Sequence, residues 1–213
     1  MTASDDGPRC PPSAETPVSL HTFFSAALGH PRVVGAIAPS SSWLAAEMIR
    51  RADPQPGQLV VELGSGTGPM TRALVTAGPG LPRFAVEPVA TLAAATRRAA
   101  PGVEVVEGSA EHLPAMLADR GLGPIDRIVS SLPFAAWPAD LQDRVLAGIT
   151  AALAPRGRMV TFTYAVSPLL PAGRRFRQRL TESFAHVTAT PIVWANLPPA
   201  FVYVCEGVAL PQP

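Results

Sequence analysis

The segment Glu62-Leu63-Gly64-Ser65-Gly66-Thr67-Gly68 concentrates more chemistry than any other part of the chain. Three glycines stand at alternate positions directly after an apolar run. One glycine suffices for an ordinary strand-to-helix turn. Three let the backbone take positive φ and lie against a ligand. A dinucleotide site would read G-x-G-x-x-G and present a helix N-terminus to a pyrophosphate. Here the spacing is G-x-G-x-G, and the carboxylate of Glu62 stands two residues before the first glycine. A negative charge there opposes phosphate and favours a ligand carrying ammonium and sulfonium charge. A second run, Arg83–Val86, ends in Glu87. A carboxylate about 20 residues past such glycines can accept from both hydroxyls of a ribose.

The elements that must position these residues follow from apolar spacing. Short, β-branched-rich runs at Leu59–Leu63, Arg83–Val86, Val103–Glu107, Ile125–Ser130 and Met159–Thr163 have the character of buried parallel strands. Helical stretches near 68–77, 90–100, 112–120 and 139–153 lie between them. This alternation predicts right-handed βαβ units and a sheet covered on both faces. A helix near 174–184 then leads to two runs, His186–Trp194 and Ala200–Cys205, joined too briefly for a crossover, so they should pair antiparallel. Before the sheet, residues 1–17 form a polar, proline-rich tail expected to be disordered. Residues 18–56 are expected to form a helical lead-in or lid, with apolar faces Leu20, Phe23, Phe24, Ala27, Leu28 and then Leu44, Ala45, Met48, Ile49. The ligand-binding domain is expected over 57–207.

With these elements in place, the chain resembles a family. Glu62–Gly68 followed by Ala85-Val86-Glu87-Pro88 resembles the first motif and following acid of class I S-adenosylmethionine-dependent methyltransferases. Val106-Glu107-Gly108-Ser109-Ala110-Glu111 resembles the third-strand segment that touches adenine, with Ser109 where many members carry Asp. The resemblance implies an α/β, Rossmann-like fold: a mostly parallel seven-stranded sheet closing in an antiparallel hairpin. It also implies S-adenosylmethionine as cofactor and S-adenosylhomocysteine as product. The residues implied to hold the cofactor are Glu62, Gly64, Ser65, Gly66, Gly68, Glu87, Pro88, Ser109, Ala110 and Ser130. A narrower resemblance, to bacterial phospholipid N-methyltransferases, is carried by Pro31–Ser41, Ser130-Ser131-Leu132-Pro133, Thr161–Tyr164 and Trp194–Ala200. That group is similar to the rRNA adenine dimethyltransferases, but Ser131 stands where those have the Asn of Asn-Leu-Pro-Tyr.

Methyl transfer from a sulfonium is an in-line displacement. It needs a neutral nucleophile roughly 3–3.5 Å from the methyl carbon and no covalent residue. The segment Ser131-Leu132-Pro133-Phe134 follows the fourth strand at its C-terminal end, where open α/β sheets bind ligands. Carbonyls and hydroxyls of Ser130 and Ser131 are candidate acceptors for an amine. Phe134, Tyr164, Trp137 and Phe24 are candidate walls, since aromatic faces favour ammonium. Trp194 is expected to pack the terminal hairpin, and Cys205 to be a buried thiol. The expected reaction is N-methylation of an amphiphilic or phospholipid-like amine. A small secondary metabolite is the alternative acceptor, ahead of rRNA adenine and of a protein that binds the cofactor without transferring methyl.

Composition narrows the partners. The chain has 213 residues, 47% of them hydrophobic, and 17 basic against 16 acidic side chains. A net charge of +1 gives little phosphate affinity, so no nucleic-acid partner is expected. The basic residues are all arginine, and the 25 prolines exceed twice the usual share of about 5%. Arg174, Arg175, Arg177 and Arg179 share a helix with Phe176, Leu180 and Phe184, and such a helix can lie on an anionic membrane. His21, His30, His112 and His186 have no metal-ligand spacing, so no metal is expected. Two cysteines, Cys10 and Cys205, fit a reducing setting. No secretory leader or spanning helix is read. The expected location is cytoplasmic; peripheral membrane contact through this arginine helix is the alternative to a solvated helix face.

Overall fold

The structure, a computed structural model, describes residues 41–209. The expected tail, the first lead-in helix, the segment Pro31–Ser40, Phe24, His21, His30 and Cys10 lie outside the described residues. The first described helix, α1 (Ser42–Ala52), is capped by the Ser41 hydroxyl, which accepts from the Leu44 amide at 3.2 Å. It is followed by β1 (Val60–Leu63), α2 (Pro69–Ala77), β2 (Phe84–Glu87), α3 (Ala90–Ala99), β3 (Val105–Glu107), α4 (Leu113–Ala118) and β4 (Ile125–Ser130). Then come α5 (Ala139–Ala152), β5 (Leu153–Tyr164), α6 (Pro171–Ser183), β6 (Phe184–Ala189) and β7 (Ala200–Val208).

The seven strands form one sheet in the order β3-β2-β1-β4-β5-β7-β6. The first five run parallel, while β7 pairs antiparallel with both β5 and β6. This is the Rossmann-like methyltransferase arrangement that the motifs imply. Adjacent residues on a strand point to opposite faces, and the core divides accordingly. Val61, Ile128, Met159 and Cys205 pack with α4, α5 and α6 on one face. Val60, Val129, Val160 and Val204 pack with α1 and α2 on the other. Burial of both faces explains why the strands read as continuous apolar runs rather than as an alternation.

Several boundaries differ from expectation, among them the start of β3 at Val105, the start of α6 at Pro171 and the end of β7 at Val208. Strand β5 begins at Leu153, six residues before Met159, because a bulge between Ile125 and Arg127 of the β4 pairing absorbs Ala154–Gly157. The helix expected to reach residue 184 ends at Ser183, and Phe184 opens β6 with its ring still in the core. The run His186–Trp194 is a strand only to Ala189. Pro191 has no amide to continue the ladder, and beyond it only Val193 bridges to Ala200.

Candidate active site

Strand β1 is central, with β2 on one side and β4 on the other. Its C-terminal end therefore lies at the switch in strand order, where such sheets open a crevice. The glycine turn leaves β1 there. Gly64 has φ +76°, and a Cβ on it would come 2.9 Å from Leu132 Cδ2 and 3.3 Å from the Leu132 amide nitrogen. The turn and the loop after β4 thus touch through backbone that admits no side chain. Gly66 has φ +58° and faces open space, with no atom within 4 Å of its Cβ position.

Two carboxylates bracket this turn. Glu62 is fully buried, and neither of its oxygens has a hydrogen-bond partner of good geometry among the described residues. Burial pushes its pKa up to about 8; the nearby Thr71 hydroxyl opposes the shift and the charge of Glu87 adds to it. An unpaired buried carboxylate is costly, and a cationic group is the partner that relieves it. Glu87 is also buried, but its oxygens accept from the Gly66 amide at 2.8 Å and the Val89 amide at 3.1 Å. Burial raises its pKa, and the two amides hold it down. These residues suit S-adenosylmethionine: a cation-seeking acid behind the turn, a second acid at the end of β2, and open space before Gly66.

A cavity of about 320 Å³ extends from this turn across the C-terminal edge of the sheet. Gly64, Ser65, Gly66 and Glu87 line its inner end. Ser131, Leu132, Pro133, Phe134 and Tyr164 line it further out, as do Phe162 and Thr163. A smaller cavity adjoins it beside Gly64 and Leu132 and is bounded by Pro88, Ser109 and Ala110. The Ser109 hydroxyl accepts from the Glu111 amide at 3.3 Å, so it is engaged within its own turn.

Other expected site residues are placed differently. A Cβ on Gly68 would meet Ala99 and Thr96 of α3, at 3.0 Å from the Ala99 Cβ, so this glycine permits helix packing and does not border the cavity. The Ser130 hydroxyl turns toward the Leu132 amide at 3.4 Å, whereas the buried Ser131 hydroxyl has no hydrogen-bond partner among the described residues. Trp137 does not wall the large cavity. It is 2% exposed, packs against Phe134 with ring centroids 5.0 Å apart, and borders the smaller cavity. Phe134 is itself buried, stacked on Phe176 at 4.8 Å and 10°. Tyr164 is half-buried, meets Phe162 edge-on, and has its pKa raised by burial. Trp194 does not pack the hairpin; it is 74% exposed. Among the arginines of α6, Arg179 pairs with Asp143, while Arg174, Arg175 and Arg177 are exposed. Cys205 is buried, and burial pushes its thiol pKa up.

Two supporting residues escaped the sequence reading. Thr96, on α3, donates to the Gly66 carbonyl at 2.8 Å and lies 3.1 Å from the Ser65 hydroxyl, bracing the glycine turn from 30 residues away. Gln142, on α5, is fully buried; its amide donates to the Phe134 carbonyl at 2.7 Å and the Trp137 carbonyl at 3.1 Å. It clamps the short turn that carries Phe134 under the cavity. Gln142→Leu is expected to cost about 2–3 kcal/mol, from two lost bonds and a buried carbonyl left unpaired. Thermal unfolding measures that cost. Calorimetry should show cofactor affinity changing by less than acceptor KM, and equal losses in both would refute the clamp.

No protein-family model matches the chain. Over 201 residues it is 30% identical to an ornithine lipid N-methyltransferase of Singulisphaera acidiphila, covering 89% of this chain and 94% of that one. Over 184 residues it is 32% identical to a malonyl-[acyl-carrier protein] O-methyltransferase of Methylococcus capsulatus, covering 84% of this chain and 63% of the relative's length. Among solved structures, a TehB-like SAM-dependent methyltransferase from Corynebacterium glutamicum superposes with a TM-score of 0.54 at 18% identity, over 87% of this chain and 98% of that one. That last likeness speaks for the fold.

Proposed function

Because the chain belongs to the class I S-adenosylmethionine-dependent methyltransferases, close to the lipid N-methyltransferases, we propose that it methylates the amine of an amphiphilic, phospholipid-like substrate. The observation that carries this reading is the cavity. It runs from the glycine turn between apolar and aromatic walls and ends at the exposed side chains of Val166 and Leu170. A pocket with few polar groups and an apolar mouth suits an acceptor with a polar head and a greasy body. The 94% coverage of the ornithine lipid N-methyltransferase supports the same reading.

Bound S-adenosylmethionine supplies an electrophilic methyl carbon on a sulfonium. Glu62 would neutralise the ammonium end from beneath the turn, and Glu87, which holds Gly66 through its amide, would accept from the ribose hydroxyls. Pro88, Ser109 and Ala110, which bound a small hollow beside the glycine turn, would border the adenine. The Ser131 hydroxyl and its neighbouring carbonyls take the N–H groups of the acceptor and aim its lone pair inward. Tyr164 presents its ring to the nitrogen as it gains charge, and Phe134, stacked on Phe176, supports the pocket wall and keeps water out. Apolar walls disfavour an ammonium, so an acceptor amine entering the pocket loses its proton more readily than in water. Positioning is then the main contribution of the protein to the rate. Peripheral contact of α6 with an anionic membrane belongs to the same reading.

The O-methyltransferase relative favours a second reading, transfer to a small acceptor. Incubation with methyl-labelled cofactor separates the two. With vesicles containing phosphatidylethanolamine or ornithine lipid, label is expected in the lipid phase. Label confined to water-soluble acceptors would overturn the lipid reading, and no S-adenosylhomocysteine with any amine would overturn N-methylation.

A further inference from the structure

Eight large hydrophobic side chains are exposed among the described residues, and six of them lie on two loops. Val166, Leu169 and Leu170 follow β5; Ile192, Trp194 and Leu197 lie between β6 and β7. The loops adjoin. Tyr164 pairs with Ala200 across the sheet, and the next amide, Ala165, donates to the Pro199 carbonyl at 2.8 Å. Leu169, Trp194 and Leu197 are the most exposed, at 73%, 74% and 85%. Scattered surface leucines need no explanation, whereas a contiguous apolar rim does. Beside it begins α6. Arg174 donates to the Leu169 carbonyl at 2.9 Å, and Arg175 and Arg177 are exposed with no ion pair to any described residue. Phe176 and Leu180 hold this helix to the sheet, so its arginines are presented outward on a fixed element.

The geometry points to a membrane-docking face formed by these two loops and the first turns of α6, its partner an anionic lipid bilayer. Trp194, Leu197 and Leu169 enter the interfacial layer, where amphipathic rings and aliphatic side chains are both favourable. Arg174, Arg175 and Arg177 meet the phosphates, each adding attraction close to the surface. The same rim carries Val166 and Leu170, which line the mouth of the cavity. Docked this way, the mouth opens onto the bilayer, and a lipid amine reaches Ser131 without its chains crossing water. This face deepens the lipid reading and rests on it for its purpose, but vesicle binding is measured without any methyl transfer.

The test uses the full chain with vesicles of phosphatidylcholine alone and of phosphatidylcholine mixed with phosphatidylglycerol. The wild-type protein is expected to float with the mixed vesicles and far less with the neutral ones. Leu169→Ser with Trp194→Ser, and separately Arg175→Glu with Arg177→Glu, should each weaken that binding more than about tenfold. Both variants should keep wild-type affinity for S-adenosylhomocysteine, which reports a folded protein. Wild-type vesicle binding by either variant overturns the proposal, as does failure of the unmodified protein to bind the mixed vesicles. A bimane label on Leu169→Cys, in a Cys10→Ser background with Cys205 buried, should shift to the blue only on adding mixed vesicles. A blue-shifted label before vesicles are added would mean another part of the chain covers the face, and also overturns it. Vesicle binding without label transfer to lipid would retain the docking face and refute the lipid substrate, so the two failures are distinct.

Discussion

Glu62→Gln is expected to flatten the pH dependence of stability and to weaken cofactor binding roughly 10- to 100-fold. The stability effect follows from the carboxyl pKa, which burial pushes from its ordinary 4.5 up to about 8 in the fold. Between those values the folded state holds a proton that the unfolded state has released, so stability falls as pH rises through this window and levels off above it. The full loss is on the order of 4–5 kcal/mol, which for a chain of this size lowers the unfolding temperature by roughly 10 °C. Glutamine fills the same space without titrating. Unfolding curves of the cofactor-free protein from pH 5 to pH 8 should slope downward for wild type and less steeply for the variant, in which the raised pKa of Glu87 still contributes. Saturating S-adenosylhomocysteine should reduce the wild-type slope, because its ammonium gives the carboxylate a partner. Parallel wild-type and variant profiles would show that Glu62 is not the group responsible.

Glu87→Ala should be the more damaging change to binding, weakening the cofactor by roughly 10²–10³-fold. Glu87 acts twice. Toward the protein it accepts from the Gly66 and Val89 amides and so fixes the open end of the glycine turn. Toward the cavity, in the proposed site, its remaining lone pairs meet the ribose. Alanine removes both roles, while Glu87→Gln keeps one oxygen acceptor and should recover part of the affinity. Titration calorimetry with S-adenosylhomocysteine gives the series directly. An alanine variant within about threefold of wild type would remove Glu87 from the site, since even one lost charged hydrogen bond is worth more than that.

Much of this is legible in the sequence, for identifiable reasons. The glycine turn and the two acids occupy adjacent strand ends within 26 residues of one another, and strand pairing brings Glu62 beside Ala85, two residues before Glu87. The antiparallel close followed from a link too short for a crossover helix. The bracing residues were not legible. Thr96 and Gln142 look like ordinary helix positions, and their roles depend on which carbonyl each helix face meets. Composition also could not sort the aromatics. Trp137 and Trp194 are the same residue type after similar apolar runs, yet Trp137 sits under Phe134 and Trp194 stands in solvent.

Sequence by itself determined the order of strands and helices, the two-faced burial of the sheet, and a turn whose charge favours a cation over a phosphate. Those properties arise from backbone periodicity and turn chemistry, which act over a few residues. Tertiary structure alone decided that the Ser131 hydroxyl is left without a hydrogen bond among the described residues while that of Ser130 is engaged, and that Phe134 rests on Phe176, 42 residues away. It alone gathered six exposed apolar side chains onto two adjoining loops. The physical reason is that side-chain direction at the edge of a sheet is set by contacts between elements distant in the chain.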